Sequence, residues 1–338
     1  MHILYAMHIP LFSIPSAITF LPSKGGRLGD HLITYCKAKY IASFTQLDFY
    51  CPDFPYKDEL MLDTYEQSLM PHVKKQFKKE QFLSYVADNM ILERNDVLYT
   101  IALYTSVNNW TRHDSTRIDM QAQHFQDMLQ ECTACDNFMR EIRHTIQPKE
   151  PLHVIQPPKD CISIAVHVRK GGNFDSPLLS QQYYSTVNLD YPVMIDPSIK
   201  VTHFSDWTTP LKFPPEQYYI NQIKKILRRH KNQNIYIHIF TDDIEPHVLA
   251  FIFQHTLQKK NIHINYCTTS SVLTDLFSMT HFDYLIRPYS FFSLIAELLG
   301  THKLIISPCS WEWRGDILHI YRSFVTIKKN VGYEYATL

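Results

Sequence analysis

The sequence predicts an α/β fold of two doubly wound, parallel-sheet domains, on three observations. With 338 residues the chain exceeds the length over which one hydrophobic core usually keeps growing, so two cores are expected. Its start reads as strand, glycine-bearing turn, helix and strand, the opening of a Rossmann-like half. Its second half alternates short β-branched runs with helical stretches, as a parallel sheet with crossover helices requires.

Ala17 to Leu21 is the first strand, and Pro22-Ser23-Lys24-Gly25-Gly26-Arg27-Leu28-Gly29-Asp30 turns on glycine. His31 to Phe44 has helical spacing, with Leu32, Tyr35, Cys36, Ala38 and Ala42 on one face. Gln46 to Tyr50 is a second strand. Tyr56 to Arg143 reads as mostly helical and charged, with the basic run Lys74 to Lys79 on a solvated helix face. Prolines 148, 151, 157 and 158 break helices and mark the boundary, giving domains 1–155 and 156–338.

The second domain opens with the strand Cys161 to Val168. Asn173 to Phe213 follows, a long stretch with few helix signals and a candidate substrate loop. Pro214-Pro215-Glu216 opens a helix through His230. Ile235 to Phe240 is a strand, Pro246 to Leu257 a helix, Ile262 to Tyr266 a strand and Val272 to Thr280 a helix. Tyr284 to Ile286 is a strand, Phe292 to Leu299 a helix ending at Gly300, and Lys303 to Ser307 a strand.

Composition narrows the function. Lys plus Arg equals Asp plus Glu at 33 each, which removes the general attraction of a nucleic-acid or anionic-membrane binder. Any anion site must be local. No run approaches the roughly eighteen apolar residues of a membrane span, and no clear signal peptide opens the chain, so a soluble, cytoplasmic protein is expected. Seven irregularly spaced cysteines suit reduced thiols, and Cys132-Thr133-Ala134-Cys135 has no second pair to make a zinc site.

The chemistry gathers at predicted strand ends. Ile162 to Gly172 is an apolar strand that delivers His167 and Arg169 to its C-terminal end, where an open α/β sheet binds ligands. Arginine there suits a diphosphate, because its planar fork donates two parallel hydrogen bonds. Asp242, Asp243, Asp275 and Ser290 stand at the equivalent places of other strand–helix junctions. An acid among them can accept from guanine donors; Asp242 and Asp243 also suit a metal or a helix cap. Gly25, Gly26 and Gly29 lack the Walker lysine and the full dinucleotide fingerprint, and fit either a phosphate-facing helix start or a tight turn.

In order, the chain therefore carries Gly-Gly-Arg-Leu-Gly-Asp-His from Gly25, His-Val-Arg-Lys from His167, Phe-Thr-Asp-Asp from Phe240, Asp275-Leu276-Phe277 and Tyr289-Ser290-Phe291-Phe292-Ser293. This series resembles the fucosyltransferase superfamily of α1,2-, α1,6- and protein O-fucosyltransferases. The first loop is most similar to the α1,2 branch, which reads Gly-Arg-Leu-Gly-Asn-Gln.

The resemblance implies a GT-B fold, two Rossmann-like domains facing across a cleft, and an inverting glycosyltransferase that moves fucose from GDP-fucose to a glycan hydroxyl. It implies no cofactor and no divalent metal. Arg169 would bind the diphosphate and stabilise its departure, His167 and Asp275 would contact guanosine, Ser290 would touch the phosphates, and Asp242 would line the site. The loop at Gly26 would close on the pyrophosphate from the other domain. Asp175 is the candidate general base. The chain departs from the α1,2 pattern His-x-Arg-Arg-x-Asp at Lys170 and Gly172, and has Asp30 in place of asparagine. Two alternatives stay open: another nucleotide sugar, or a catalytically silent protein that binds a glycan or protein partner.

Overall fold

The computed structural model describes residues 14–23, 26–86, 91–107, 135–170, 193–194, 209–268, 270–314, 317–329 and 332–335. The chain divides into two compact units, Met1–His113 and Asp114–Leu338, each carrying its own sheet. Both are parallel-sheet α/β units.

In the first, β1 (Ala17–Phe20), α1 (Leu28–Thr45) and β2 (Asp48–Cys51) form the expected start. A 3₁₀ turn at Lys57–Glu59, α2 (Leu62–Tyr65), β3 (Gln67–Ser68), α3 (Pro71–Lys74), β4 (Lys79–Val86) and β5 (Val97–Val107) follow. The order is β3-β2-β1-β5-β4, with every pairing parallel. Growth reverses at β1, which lies between β2 and β5, so this unit's topological switch point adjoins the glycine turn.

Helix α1 starts at Leu28, before the predicted His31, because Asp30 reaches back: its Oδ2 accepts the Arg27 N–H at 2.9 Å. It ends where Gln46 turns left-handed at φ 56°.

Residues 56–143 are not mostly helical, since β4 and β5 lie within them. β4 is an edge strand, so little of its surface is buried and Phe82 stands 63% exposed. Its charged first half therefore lacks the apolar alternation that marks a strand. The basic run is correspondingly no helix face. Lys74 closes α3 and Lys79 opens β4, with Lys78 paired to Asp96 and Lys79 to Glu93, each at 2.8 Å.

In the second unit, α4 (Cys135–Thr145) precedes β6 (Ile162–Val168), β7 (Val193–Met194), α5 (Thr209–Lys212) and α6 (Glu216–Arg229). Then come β8 (Ile235–Thr241), α7 (Pro246–Leu257), β9 (Ile262–Tyr266), α8 (Val272–Met279), β10 (Tyr284–Ile286) and α9 (Phe291–Leu299). β11 (Leu304–Arg314), β12 (Ile317–Lys329) and β13 (Gly332–Tyr335) complete it. Helix α4, placed before the proline boundary by the sequence, packs here: Arg143 Nε donates to the Leu298 carbonyl at 3.2 Å.

The sheet order is β13-β12-β11-β10-β6-β8-β9, with β7 on β12. From β11 to β9 every pairing is parallel. In chain order these strands lie third, second, first, fourth, fifth across the sheet, the Rossmann arrangement. The switch point falls between β6 and β10. One face of β6 and β8 buries Ile164, Val166, Val168, Ile235, Ile237 and Ile239 against α6 and α7, explaining their near-continuous apolar runs.

The sequence ends β11 at Ser307, but it runs to Arg314 and pairs antiparallel with β12. Gly300 closes α9 as predicted, though in extended backbone at φ −76°; a Cβ there would lie 2.4 Å from His302 Nε2. At the opposite edge, β9 satisfies two N–H groups locally. Ile262 N–H donates to the Lys259 carbonyl at 3.2 Å and Tyr266 N–H to Asn265 Oδ1 at 2.9 Å.

Candidate nucleotide site

At the second unit's switch point, the end of β6 faces the start of α9. Parallel register pairs Val166 with Ile286, so His167 and Arg169 leave β6 on the sheet edge from which Ser290 leads into α9. The His167 ring, 6% exposed, lies 5.6 Å from the ring of Phe292 in the first turn of α9. This contact brings the basic strand end to a helix N-terminus, which carries partial positive charge and backbone donors. Ser290 is the N-cap residue of α9 and is buried; its carbonyl accepts the Leu294 N–H at 2.9 Å.

The Arg169 guanidinium lies 5.4 Å from the centre of the Phe213 ring. That ring presents a flat face to the cation and limits its rotamers. Tyr219 is fully buried on α6, and burial pushes its phenol well above the usual range.

Asp242 follows β8, next to the end of β6, where register pairs Val168 with Thr241. Its Oδ1 accepts the Lys170 N–H at 2.6 Å. The Lys170 ammonium forms an ion pair with Glu216 Oε1 in the first turn of α6. Neither Asp242 nor Asp243 is the N-cap of α7, because Pro246 starts that helix and leaves Glu245 as its cap residue. Asp243 Oδ1 instead accepts the Glu245 N–H at 3.0 Å, an Asx turn before the helix.

Asp275 lies in the first turn of α8, which follows β9 on the same sheet edge. Burial pushes its carboxyl up to about 6, opposed by a hydrogen bond from Ser270. Its Oδ1 is buried without a hydrogen-bond partner among the described residues. Thus β6, β8, β9 and β10 all send candidate residues to one edge, as parallel strands must.

In the first unit, Gly26 and Gly29 lie at the switch point beside β1. Gly26 N–H donates to the Ser23 carbonyl at 3.0 Å, and the Gly26 carbonyl lies 3.1 Å from His31 Nε2. A Cβ on Gly26 would meet Ser23 Cβ at 2.6 Å, so the tight turn itself demands glycine. His31 stacks on Phe54, and burial lowers its pKa. Gly25, Asp175, Gly172, Cys132 and nearly all of the candidate substrate loop lie outside the described residues.

Solved structures of fucosyltransferases are similar to this chain. POFUT1 in complex with GDP-fucose aligns with a TM-score of 0.44 and 12% identity over 85% of this chain and 95% of that one. A mutant of Arabidopsis thaliana FUT1 in complex with GDP aligns with a TM-score of 0.47 and 11% identity, over 88% and 71%. NodZ from Bradyrhizobium aligns with a TM-score of 0.36 and 14% identity, over 87% and 95%. No family model matches the chain, and no curated protein does.

Phe213, Glu216 and the Arg287–Glu297 pair were not singled out from sequence. Glu297 carries a usable signal, since it is the one charged residue in the run from Phe291 to Leu299, in which Ser293 is the one other polar residue. A charge on such a helix needs a buried partner. Phe213 and Glu216 show no comparable local pattern.

Proposed function

We propose that the second unit binds a nucleoside diphosphate sugar and that the chain is an inverting, metal-independent glycosyltransferase, moving fucose from GDP-fucose to a glycan hydroxyl. The observation that carries the nucleotide site is the switch point between β6 and β10. There Arg169 and the N-terminus of α9 adjoin the crevice in which such sheets bind ligands. The choice of GDP-fucose, and of the α1,2 branch, rests on the motif series in the sequence.

In this reaction the acceptor oxygen forms a bond to the anomeric carbon while the bond from that carbon to the diphosphate breaks. The electron pair leaves with GDP. Arg169 and the α9 amides offset the developing charge, and their fixed placement avoids reorganisation at the moment of transfer. Asp175 takes the acceptor proton in this scheme. Asp275 supplies an acceptor for guanosine donors, and His167 makes a second guanosine contact in this scheme. Gly26 and Gly29 remain candidates for a phosphate contact.

Cytoplasmic location is part of the proposal; Cys36, Cys51, Cys161 and Cys267 are free thiols. Among the described residues, no helix is long and apolar enough to cross a membrane.

Calorimetric titration with GDP tests the site. We expect binding by the wild type and a loss of at least tenfold in Arg169→Ala, the scale of one charge-assisted hydrogen bond. Equal affinities would overturn the assignment. Glycan transfer assays with GDP-fucose and other nucleotide sugars then identify the donor.

A further inference from the structure

We propose that Asp242 is a positioning residue: it holds the Lys170 amide and so aims Arg169 at the diphosphate. Given the nucleotide site proposed above, Asp242 belongs to the frame behind the ligand rather than to its contacts.

The ladder between β6 and β8 ends at Val168 and Thr241. Beyond that rung the chain would be free to swing, and the arginine with it. Asp242 supplies the missing connection from β8, with Oδ1 on the Lys170 N–H at 2.6 Å. Hydrogen bonds to a carboxylate are short and stronger than neutral ones.

One contact from α6 supports the same segment. Glu216 pairs with the Lys170 ammonium, both side chains being about a quarter exposed at 24% and 29%. Lys170 therefore serves as an anchor: its amide is held by one neighbouring element and its side chain by another. Where the α1,2 pattern has a second arginine, this chain has a cation already paired to an acid. The guanidinium of Arg169, over the Phe213 ring at 5.4 Å from its centre, is the group this strand end aims.

A carboxylate facing a diphosphate directly would repel it, whereas one that accepts a backbone amide needs only its oxygen. Asparagine keeps that oxygen without the charge, and alanine removes both. GDP is titrated into wild type, Asp242→Ala and Asp242→Asn, with thermal melting and amide hydrogen exchange at Lys170 on each.

We expect Asp242→Ala to lose about tenfold in GDP affinity and to exchange the Lys170 amide faster. Asp242→Asn should restore both to within about threefold of wild type. If both folded variants weaken alike, the charge of Asp242 acts on the ligand itself and the proposal fails. It fails equally if alanine leaves affinity and exchange unchanged. Absence of GDP binding in the wild type would refute the nucleotide site instead, and exchange at Lys170, which needs no nucleotide, would still decide whether Asp242 holds that amide.

Discussion

Arg287 Nε donates to Glu297 Oε2 at 2.5 Å in a pair whose side chains are 5% and 0% exposed. The bond ties the end of β10 to the last turns of α9, across the junction that carries Ser290. A buried pair adds little stability over an apolar one, but breaking it strands a charge.

Glu297→Ala should therefore cost about 3–5 kcal/mol, while Arg287→Met with Glu297→Leu should cost much less. Urea denaturation of the single and double variants measures both. Equal losses would mean that the ion pair itself, and not the stranded charge, sets the cost.

Asp275 gives a pH signature. Its folded carboxyl is held at about 6 against an ordinary 3.8, so the folded state binds the proton more tightly between these values. Its contribution is fully present below pH about 4 and is lost as pH rises through about 6. Asp275→Asn should remove that slope and add about 3 kcal/mol of stability at neutral pH. The same variant should bind GDP more weakly if the carboxylate accepts from guanosine. Stability is read by denaturation across the pH range and affinity by calorimetry.

His238 has the opposite sign. It is buried beside Phe240, with ring centres 4.6 Å apart, and burial lowers its pKa from 6.5 to about 4. The unfolded chain takes up the proton first, so stability is present above the unfolded pKa and is lost as pH falls from about 6.5 toward 4. His238→Phe should flatten this acid limb by about 2–3 kcal/mol. Denaturation midpoints that keep the wild-type slope would contradict it.

Gly26→Ala should destabilise the first unit by about 1–3 kcal/mol, because the new methyl group meets Ser23 Cβ at 2.6 Å. Ser23→Gly in the same chain should recover most of the loss, leaving the Ser23 carbonyl, 3.2 Å away, as the tightest contact. Thermal melting of both variants decides.

The parallel half of the second sheet was legible because buried strands show themselves. Ile235 to Phe240 and Tyr284 to Ile286 are largely apolar runs bounded by turn residues, while the edge strand Ile262 to Tyr266 shows itself by alternating Ile262, Ile264 and Tyr266 with His263 and Asn265. β4 escaped because an edge strand need not be apolar, whereas β12 was legible in principle, since Gly315-Asp316 between Arg314 and Ile317 is a two-residue hairpin signal. At the candidate site, residue types at strand ends located the sheet edge. They could not tell which way Asp242 points, since a carboxylate suits a base, a metal, a helix cap or a neighbouring amide equally well. Asp30 is similar: it departs from the α1,2 pattern, and its carboxylate accepts the Arg27 amide at its own helix start.

The outer edge of β9 shows how this sheet stops. A strand joining it would look for backbone donors and acceptors in alternation, but the Ile262 and Tyr266 N–H groups are already satisfied by their own chain. What β9 offers a visitor is mostly carbonyl oxygen, a poor template for sheet-to-sheet association between molecules.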